Sequence, residues 1–461
     1  MFRNTRHIHL VAIGGVGMSG IAEVLLNLGF TVSGSDLRTG AVTDRLATLG
    51  ATIFAGHDAA NIEGADVVVR SSAVTEANCE VAAARARRIP VIRRAEMLAE
   101  LMRLKSGVAV AGSHGKTTTT TLVAAVLAAG GLDPTVIVGG RIRAMGTNAV
   151  LGGGDHLVAE ADESDGSFLH LVPTIAVVTN IDHEHVDFYP DLASLCATFA
   201  EFLARVPFYG TCVLCHDDPE VRGLLPHLDR RVVTYGLNAG ADVTAEAVAA
   251  PDGVGQAARV VVRGEPAGEI RLALRGRHNL QNALAAVAVG LELGVPFAAI
   301  AAGLAGSQGV GRRLEEHGVH GGVLVVDDYG HHPTEVRATL AVAREYGRPV
   351  AVLFQPHRYS RTQCFAREFA DALAGAAVVG LLPVYAAGED PSVGCGSEAI
   401  GDALTAIGGA AVTLLGGHAD AGAWLDAHVP EGALLLTLGA GDIGREVGAL
   451  CAHLDRRPRG R

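Results

Sequence analysis

Lysine is nearly absent from this chain. Of its 37 lysines and arginines, only Lys105 and Lys116 are lysines. That skew fits a GC-rich gene that writes arginine wherever either cation will do, so a retained lysine marks a place that needs one. Long apolar runs are missing too. No stretch free of Asp, Glu, Lys and Arg supplies the ~20 apolar residues of a membrane helix. The first apolar run is broken by a glycine cluster, so no signal peptide is expected. Cysteines number seven, an odd count that suits a reducing cytoplasm better than a disulfide framework. Cys212 and Cys215 form a C-x-x-C, but in the strand-like "TCVLC" they point to opposite faces, and no second pair exists to complete a zinc site. A basic excess is also lacking. The net charge of −12 argues against broad nucleic-acid binding and leaves room for small anions in local sites. Low-complexity segments and short-period repeats do not occur.

What is present is an α/β pattern. At ~150 residues per domain, 461 residues suggest about three domains. The boundaries are expected near 1–103, 104–307 and 308–461, the last at the glycine-rich break "GLAGSQGVGRR". The chain opens with a strand ("HIHLVAI"), then Gly15, Gly17 and Gly20 as G-x-G-x-x-G, a helix, and a strand ending at Asp36. This is a Rossmann-like dinucleotide fingerprint, with an acid placed for ribose hydroxyls. It says only that a pyrophosphate meets a helix N-terminus. An NAD-dependent dehydrogenase stays open at this point, as does a catalytically silent nucleotide-binding protein.

The second segment answers the lysine question. "VAVAGSHGKTTTTTLVAAVL" reads as buried strand, glycine turn and helix, with Gly112, Gly115, Lys116 and Thr117 forming G-x-x-G-K-T. Unpartnered N–H groups and the helix dipole make such a turn a phosphate site. A compact ammonium can sit among phosphate oxygens, and a threonine hydroxyl can ligate Mg²⁺. The loop is shorter than the usual phosphate loop, since Val110 stands where a glycine is common. Acids follow later strands: Glu160, Asp162, Glu163 and Asp165, then Asp182, His183, Glu184, His185 and Asp187. Hard oxygen ligands of this kind suit Mg²⁺ beside a nucleoside triphosphate, with Thr117 and Glu160 as one site and His185 at a second. A run of consecutive strands near residues 231–272 reads as a small antiparallel appendage. In the last segment "VVDDYGHHPTEV" and "FQPHRYSRT" follow strands, with Pro333 starting a helix. His357, Arg358 and Arg361 there suit an acidic or zwitterionic small substrate.

These motifs, with "GGVGMSGIAEVLLNLG", "EADESDGSFLHL", "VTNIDHEHVD", "GRHNLQNALAA" and "VYAAGE", run over essentially the whole chain. Together they resemble the Mur ligases, the ATP-dependent amide-forming enzymes of peptidoglycan precursor synthesis. Within that family the branch indicated joins L-alanine to UDP-N-acetylmuramate, and the related branch that recycles a whole peptide is the alternative. The resemblance implies three α/β domains: a Rossmann-like domain for the uridine nucleotide, a central P-loop ATPase domain with a mostly parallel sheet, and a C-terminal Rossmann-like domain for the amino acid. It implies ATP and Mg²⁺ as cofactors, a cytoplasmic enzyme and a monomer or weak dimer. Gly15, Gly17, Met18, Ser19, Gly20, Asp36, Ser164 and His357 would contact the UDP-sugar. Gly112, Ser113, His114, Gly115, Lys116, Thr117, Thr118, His278, Asn279 and Asp328 would bind ATP. Lys116, Glu160, His185, Arg358 and Arg361 would serve catalysis, and His331 would lie on the amino-acid side. Thr117, Glu160 and His185 would hold metal.

The sequence departs from the family in two places. It has Ser113 where threonine is common, and Glu184 with an extra His183 near the second metal. Some relatives carry a carbamylated lysine on the helix near Phe199–Glu201. Here no lysine follows Lys116, so the second ion is expected to be held without a carbamate.

Overall fold

The computed structural model describes residues 5–71, 73–142, 147–186, 188–248, 255–307, 309–391 and 394–457. Asp187 of the second acidic cluster lies outside them. The chain divides into two compact units: Met1–Ala273 with Asn279–Val310, and Leu274–His278 with Gly311–Arg461.

The first unit holds two sheets. The smaller has five parallel strands: β1 (His7–Val11), β2 (Thr31–Asp36), β3 (Thr52–Ala55), β4 (Val67–Arg70) and β5 (Val91–Arg93). Their order is 3-2-1-4-5, so the winding reverses between β1 and β4. That switch point is where open α/β sheets leave a crevice. The strands are apolar on both faces because helices cover both. Ile8 and Leu10 share a core with Ile21 and Leu25 of the helix Val16–Asn27. Val11 and Val68 face the other way, with Val81 and Ala84 of the helix Cys79–Ala86.

The larger sheet has ten strands: β6 (Ser106–Ala111), β7 (Thr135–Ile142), β8 (Thr147–Val150), β9 (His156–Glu160), β10 (Ile175–Val178), β11 (Thr211–Cys215), β12 (Arg231–Gly236), β13 (Val243–Val248), β14 (Gln256–Val262) and β15 (Glu265–Leu272). Their order is 15-14-13-12-11-10-6-9-7-8. The centre is parallel. β13, β14 and β15 are antiparallel, but they form no separate appendage. Tyr235 and Gly236 of β12 pair in parallel with Val243 and Thr244, so the hairpins lengthen the same sheet. Register matters most at β6. It lies between β10 and β9, with Ala111 beside Val178 and Val110 beside Glu160. The carboxyl ends of these three strands therefore deliver the glycine turn and both acidic loops to one edge.

The second unit has one sheet: β16 (Glu315–His320), β17 (Val323–Asp328), β18 (Val350–Phe354), β19 (Val378–Leu381), β20 (Ala411–Leu414) and β21 (Leu434–Leu438). The order is 16-17-21-18-19-20, parallel except for the edge strand β16. The last strand in the chain thus sits at the middle, with Leu438 beside both Asp328 and Phe354.

Candidate active site

The glycine turn after β6 is held by the loop after β10. Ser113 N–H donates to the Asn180 carbonyl at 3.1 Å and His114 N–H to Asn180 Oδ1 at 2.8 Å. Thr179 Oγ1 and Asn180 Nδ2 donate to the His114 carbonyl at 2.6 and 3.0 Å. The His114 ring lies 3.0 Å from Asp182. The helix Lys116–Ala129 then starts from Gly115, whose φ of 80° is left-handed. A β-carbon at Gly115 would come within 2.8 Å of Asn282 Oδ1, so the amide of Asn282 packs directly on the turn. Asn282 and Asn279 are both buried on the helix Arg277–Glu292, 3.5 Å apart. The sequence pointed to Asn279 and passed over Asn282, although spacing of three residues puts both on one helix face.

Lys116 stands at the centre of charge. Its Nζ donates to Gly112 O at 2.6 Å, to Ser113 O at 3.3 Å, and to both carboxylate oxygens of Glu163 at 2.8 Å. Burial alone would lower the lysine pKa, but the charges of Glu163, Asp162 and Glu160 outweigh it and raise the value. Glu163 is 0% exposed. Its Oε1 also lies 3.3 Å from His185 Nε2, and its carbonyl accepts from Tyr189 Oη at 2.6 Å. His185 takes a left-handed φ of 55°, and its N–H donates to Glu184 Oε2 at 3.1 Å. So Glu163, not singled out as a site residue from the sequence, joins Lys116 to His185. Its signal was visible only as one acid among four in "EADESD". Asp162 is kept below the usual carboxylate range: burial opposes this, and Lys116 and the Ser164 N–H overcome it. The Ser164 backbone is thereby committed to Asp162 Oδ1 at 3.1 Å.

The first glycine loop differs from expectation in detail. Asp36 Oδ2 accepts from Gly14 N–H at 2.9 Å and Oδ1 from Arg38 N–H at 3.0 Å. The carboxylate placed for ribose hydroxyls thus braces the loop itself. Met18 is 1% exposed in the core, and the N–H groups of Met18 and Ser19 donate to Gly15 O. The Met18 side chain therefore packs in the core beneath the loop. Arg94, not marked by the sequence, lies over Gly17. A β-carbon there would meet its Nη1 at 2.6 Å, and Nη2 is 3.7 Å from Asp162. Beneath the same sheet edge, Glu80 is buried and accepts from Ser35 Oγ at 2.6 Å and Asn61 Nδ2 at 2.7 Å, with His57 Nδ1 at 3.2 Å.

In the second unit the strand-end residues do gather. The rings of His331 and His357 have centroids 5.8 Å apart, and His357 stacks on Tyr385 at 5.6 Å. Arg361, 7% exposed, reaches His357 Nδ1 at 3.2 Å. Arg358 begins its helix at a left-handed φ of 70° and lies 3.8 Å from Glu389. Asp328 is engaged by the N–H groups of Leu314 and Gly330, each at 2.8 Å. Burial pushes its carboxyl up to about 6 against the pull of Arg313. Burial, helped by Arg313, holds His278 down to about 4, so its ring is neutral at pH 7. Two arginines at the end of the glycine-rich break are also engaged. Arg312 clamps Asp327 at 2.9 Å and Gly439 O at 2.6 Å, and Arg313 lies over the Tyr329 ring.

Comparison with known proteins fits this layout. Residues 7–106 match the Mur ligase family catalytic domain, 110–290 the Mur ligase middle domain, and 312–441 the Mur ligase glutamate ligase domain. The chain belongs to the Mur ligase family. A curated UDP-N-acetylmuramate–L-alanine ligase from Desulfosudis oleivorans is 55% identical over 96% of this chain and 98% of its own. Among solved structures, the UDP-N-acetylmuramate–alanine ligase of Thermotoga maritima superposes with a TM-score of 0.80 at 31% identity, covering 96% of this chain and 98% of that one. A murein peptide ligase from Psychrobacter arcticus shares the fold at 23% identity, with a TM-score of 0.73 over 98% and 99% of the two chains. The three-domain α/β architecture of the family is thus established here. No helix among the described residues is long and apolar enough to cross a membrane.

Proposed function

We propose that this Mur ligase joins L-alanine to the lactyl carboxylate of UDP-N-acetylmuramate at the expense of ATP. The products are UDP-N-acetylmuramoyl-L-alanine, ADP and phosphate, for peptidoglycan precursors in the cytoplasm. The observation that carries this is the 55% identity, over nearly the full length of both chains, to a ligase of that name. Residues 1–103 are assigned to the UDP-sugar, 104–307 to ATP and 308–461 to the amino acid, in a monomer or weak dimer.

The chemistry follows from the groups. A carboxylate is a poor acyl donor, so its oxygen first takes the γ-phosphoryl group of ATP and ADP departs. The amine of alanine then attacks the acyl carbon and phosphate leaves. Lys116 offsets charge on the β- and γ-phosphates, and the Gly112–Thr118 turn cradles them. Asn279 and His278 lie at the adenosine end. The Gly15–Gly20 loop, with Arg94, receives the pyrophosphate of the sugar nucleotide. Arg358, Arg361 and His357 meet the carboxylate side of the reaction. The donor set of Thr117, Glu160, Glu163 and His185 is mostly hard oxygen and suits Mg²⁺. Thr117 and Glu160 would hold one ion and His185 a second, which when bound supply positive charge at the transferring phosphoryl group. Water must be excluded, because it would hydrolyse the acyl phosphate.

Purified protein is expected to release phosphate only when ATP, Mg²⁺, UDP-N-acetylmuramate and L-alanine are all present. The product should carry one added alanyl residue by mass. Use of a tripeptide with alanine ignored would replace this reading with the recycling reaction.

A further inference from the structure

We propose that Glu163 makes the Lys116 loop selective for magnesium-bound over metal-free ATP. This rests on the reading of that loop as the ATP site and adds a specificity-determining residue to it.

The argument starts from how Lys116 is held. Both Glu163 oxygens lie 2.8 Å from Nζ, and Gly112 O and Ser113 O take its remaining hydrogen-bonding capacity. Glu163 cannot turn to solvent, being 0% exposed, and its backbone is pinned by Tyr189 Oη at 2.6 Å and by the Gly166 N–H at 3.0 Å. The one ammonium of the turn is therefore already neutralised by a fixed carboxylate. Glu160 and Asp162 add further negative charge to its surroundings. Arg94 lies 3.7 Å from Asp162.

A bare triphosphate meets this arrangement badly. Its phosphates and Glu163 compete for the same three protons. If Lys116 turns to phosphate, Glu163 is left as a buried charge without its main partner, which is costly. If Lys116 stays, the phosphates face a like charge at close range. A divalent cation arriving with the nucleotide removes the conflict, because Glu163 and the imidazole of His185, 3.3 Å from its Oε1, gain a positive partner as Lys116 is released. Glu163 thus acts as a counter-ion that yields Lys116 only in exchange for another cation.

Calorimetric titration tests this with ATP in EDTA and with ATP plus Mg²⁺, on wild type, Glu163→Gln and Glu163→Asp. Wild type is expected to bind the magnesium complex ~100-fold or more tightly than metal-free ATP. Glu163→Gln keeps the shape and loses the charge, so it should bind metal-free ATP ~10-fold more tightly than wild type and the magnesium complex more weakly. Glu163→Asp keeps the charge and should keep at least a ~10-fold preference for the complex. Thermal melts establish that each variant is folded. A Glu163→Gln protein with an unchanged preference, or with weakened metal-free binding, overturns the proposal. Loss of the preference in Glu163→Asp overturns it equally. Absence of ATP binding by wild type in either condition would instead remove the assignment of the loop to ATP.

Discussion

Gly112 lies against Thr179 so closely that a β-carbon on it would come within 2.0 Å of the threonine Oγ1. The φ of Gly112, 130°, is one that L side chains rarely adopt. The hydroxyl cannot move away freely, because it donates to the carbonyl of His114. Gly112→Ala is therefore expected to displace the turn, lowering the melting temperature and cutting ATP turnover ~100-fold. Melts and phosphate-release rates check this. A variant with normal turnover would show that the turn tolerates a shift.

Lys116→Arg should be nearly as damaging as Lys116→Ala, with a loss of ~10²–10³ in rate. The ammonium sits among two carbonyls and both oxygens of one carboxylate within 3.3 Å, a cage too tight for a planar guanidinium. UDP-sugar binding, followed by calorimetry, should survive. An arginine enzyme with close to normal kcat would mean that charge alone is needed.

Glu80 predicts an acid response. Burial would raise its pKa, but the His9 ring 3.8 Å away and hydrogen bonds from Ser35 and Asn61 lower it from 4.5 to about 2. A depressed carboxylate contributes stability above its unfolded pKa and loses it as pH falls through the folded value. That contribution, about 3 kcal/mol, should therefore fade between pH ~4.5 and ~2. Glu80→Gln should be less stable than wild type at pH 7, and the gap should close across that window in urea titrations. A gap independent of pH would remove the charge from the explanation.

The helix Leu192–Ala204 predicts indifference to carbon dioxide. Phe199 is fully buried there and Glu201 is exposed, so no amine is available for carbamylation. Rates in CO₂-depleted buffer should equal rates with bicarbonate at fixed pH and ionic strength. A bicarbonate-dependent rate, or a CO₂ adduct on Lys105 or Lys116 by mass spectrometry, would contradict this.

The parts of the fold that were legible are those where one local rule decides. Glycine turns between an apolar strand and a helix were readable at both Gly15 and Gly115. Polar loops just beyond apolar strands put Glu160 and His185 at one sheet edge, because neighbouring parallel strands end together. The polar strand β16, "EEHGVH", was not legible, since an exposed edge needs no apolar face and its identity comes from pairing with β17. Asp36 could be placed at the loop, but its bond to the Gly14 N–H could not be read, because that contact is a matter of ångströms. Glu163 could not be told from Glu160, Asp162 or Asp165 by type. Burial and aim separate them, and neither can be read from residue type; even the Glu163 backbone is held from 26 positions away, by Tyr189.

The placing of β21 between β17 and β18 has a consequence for synthesis on the ribosome. Until residues 434–438 emerge, the unit holds two half-sheets, each with an open inner edge and no partner. Such edges invite pairing with other chains. Strand β21 is therefore needed to join the two halves, and a chain that stops short of it is left with a split sheet and two open edges.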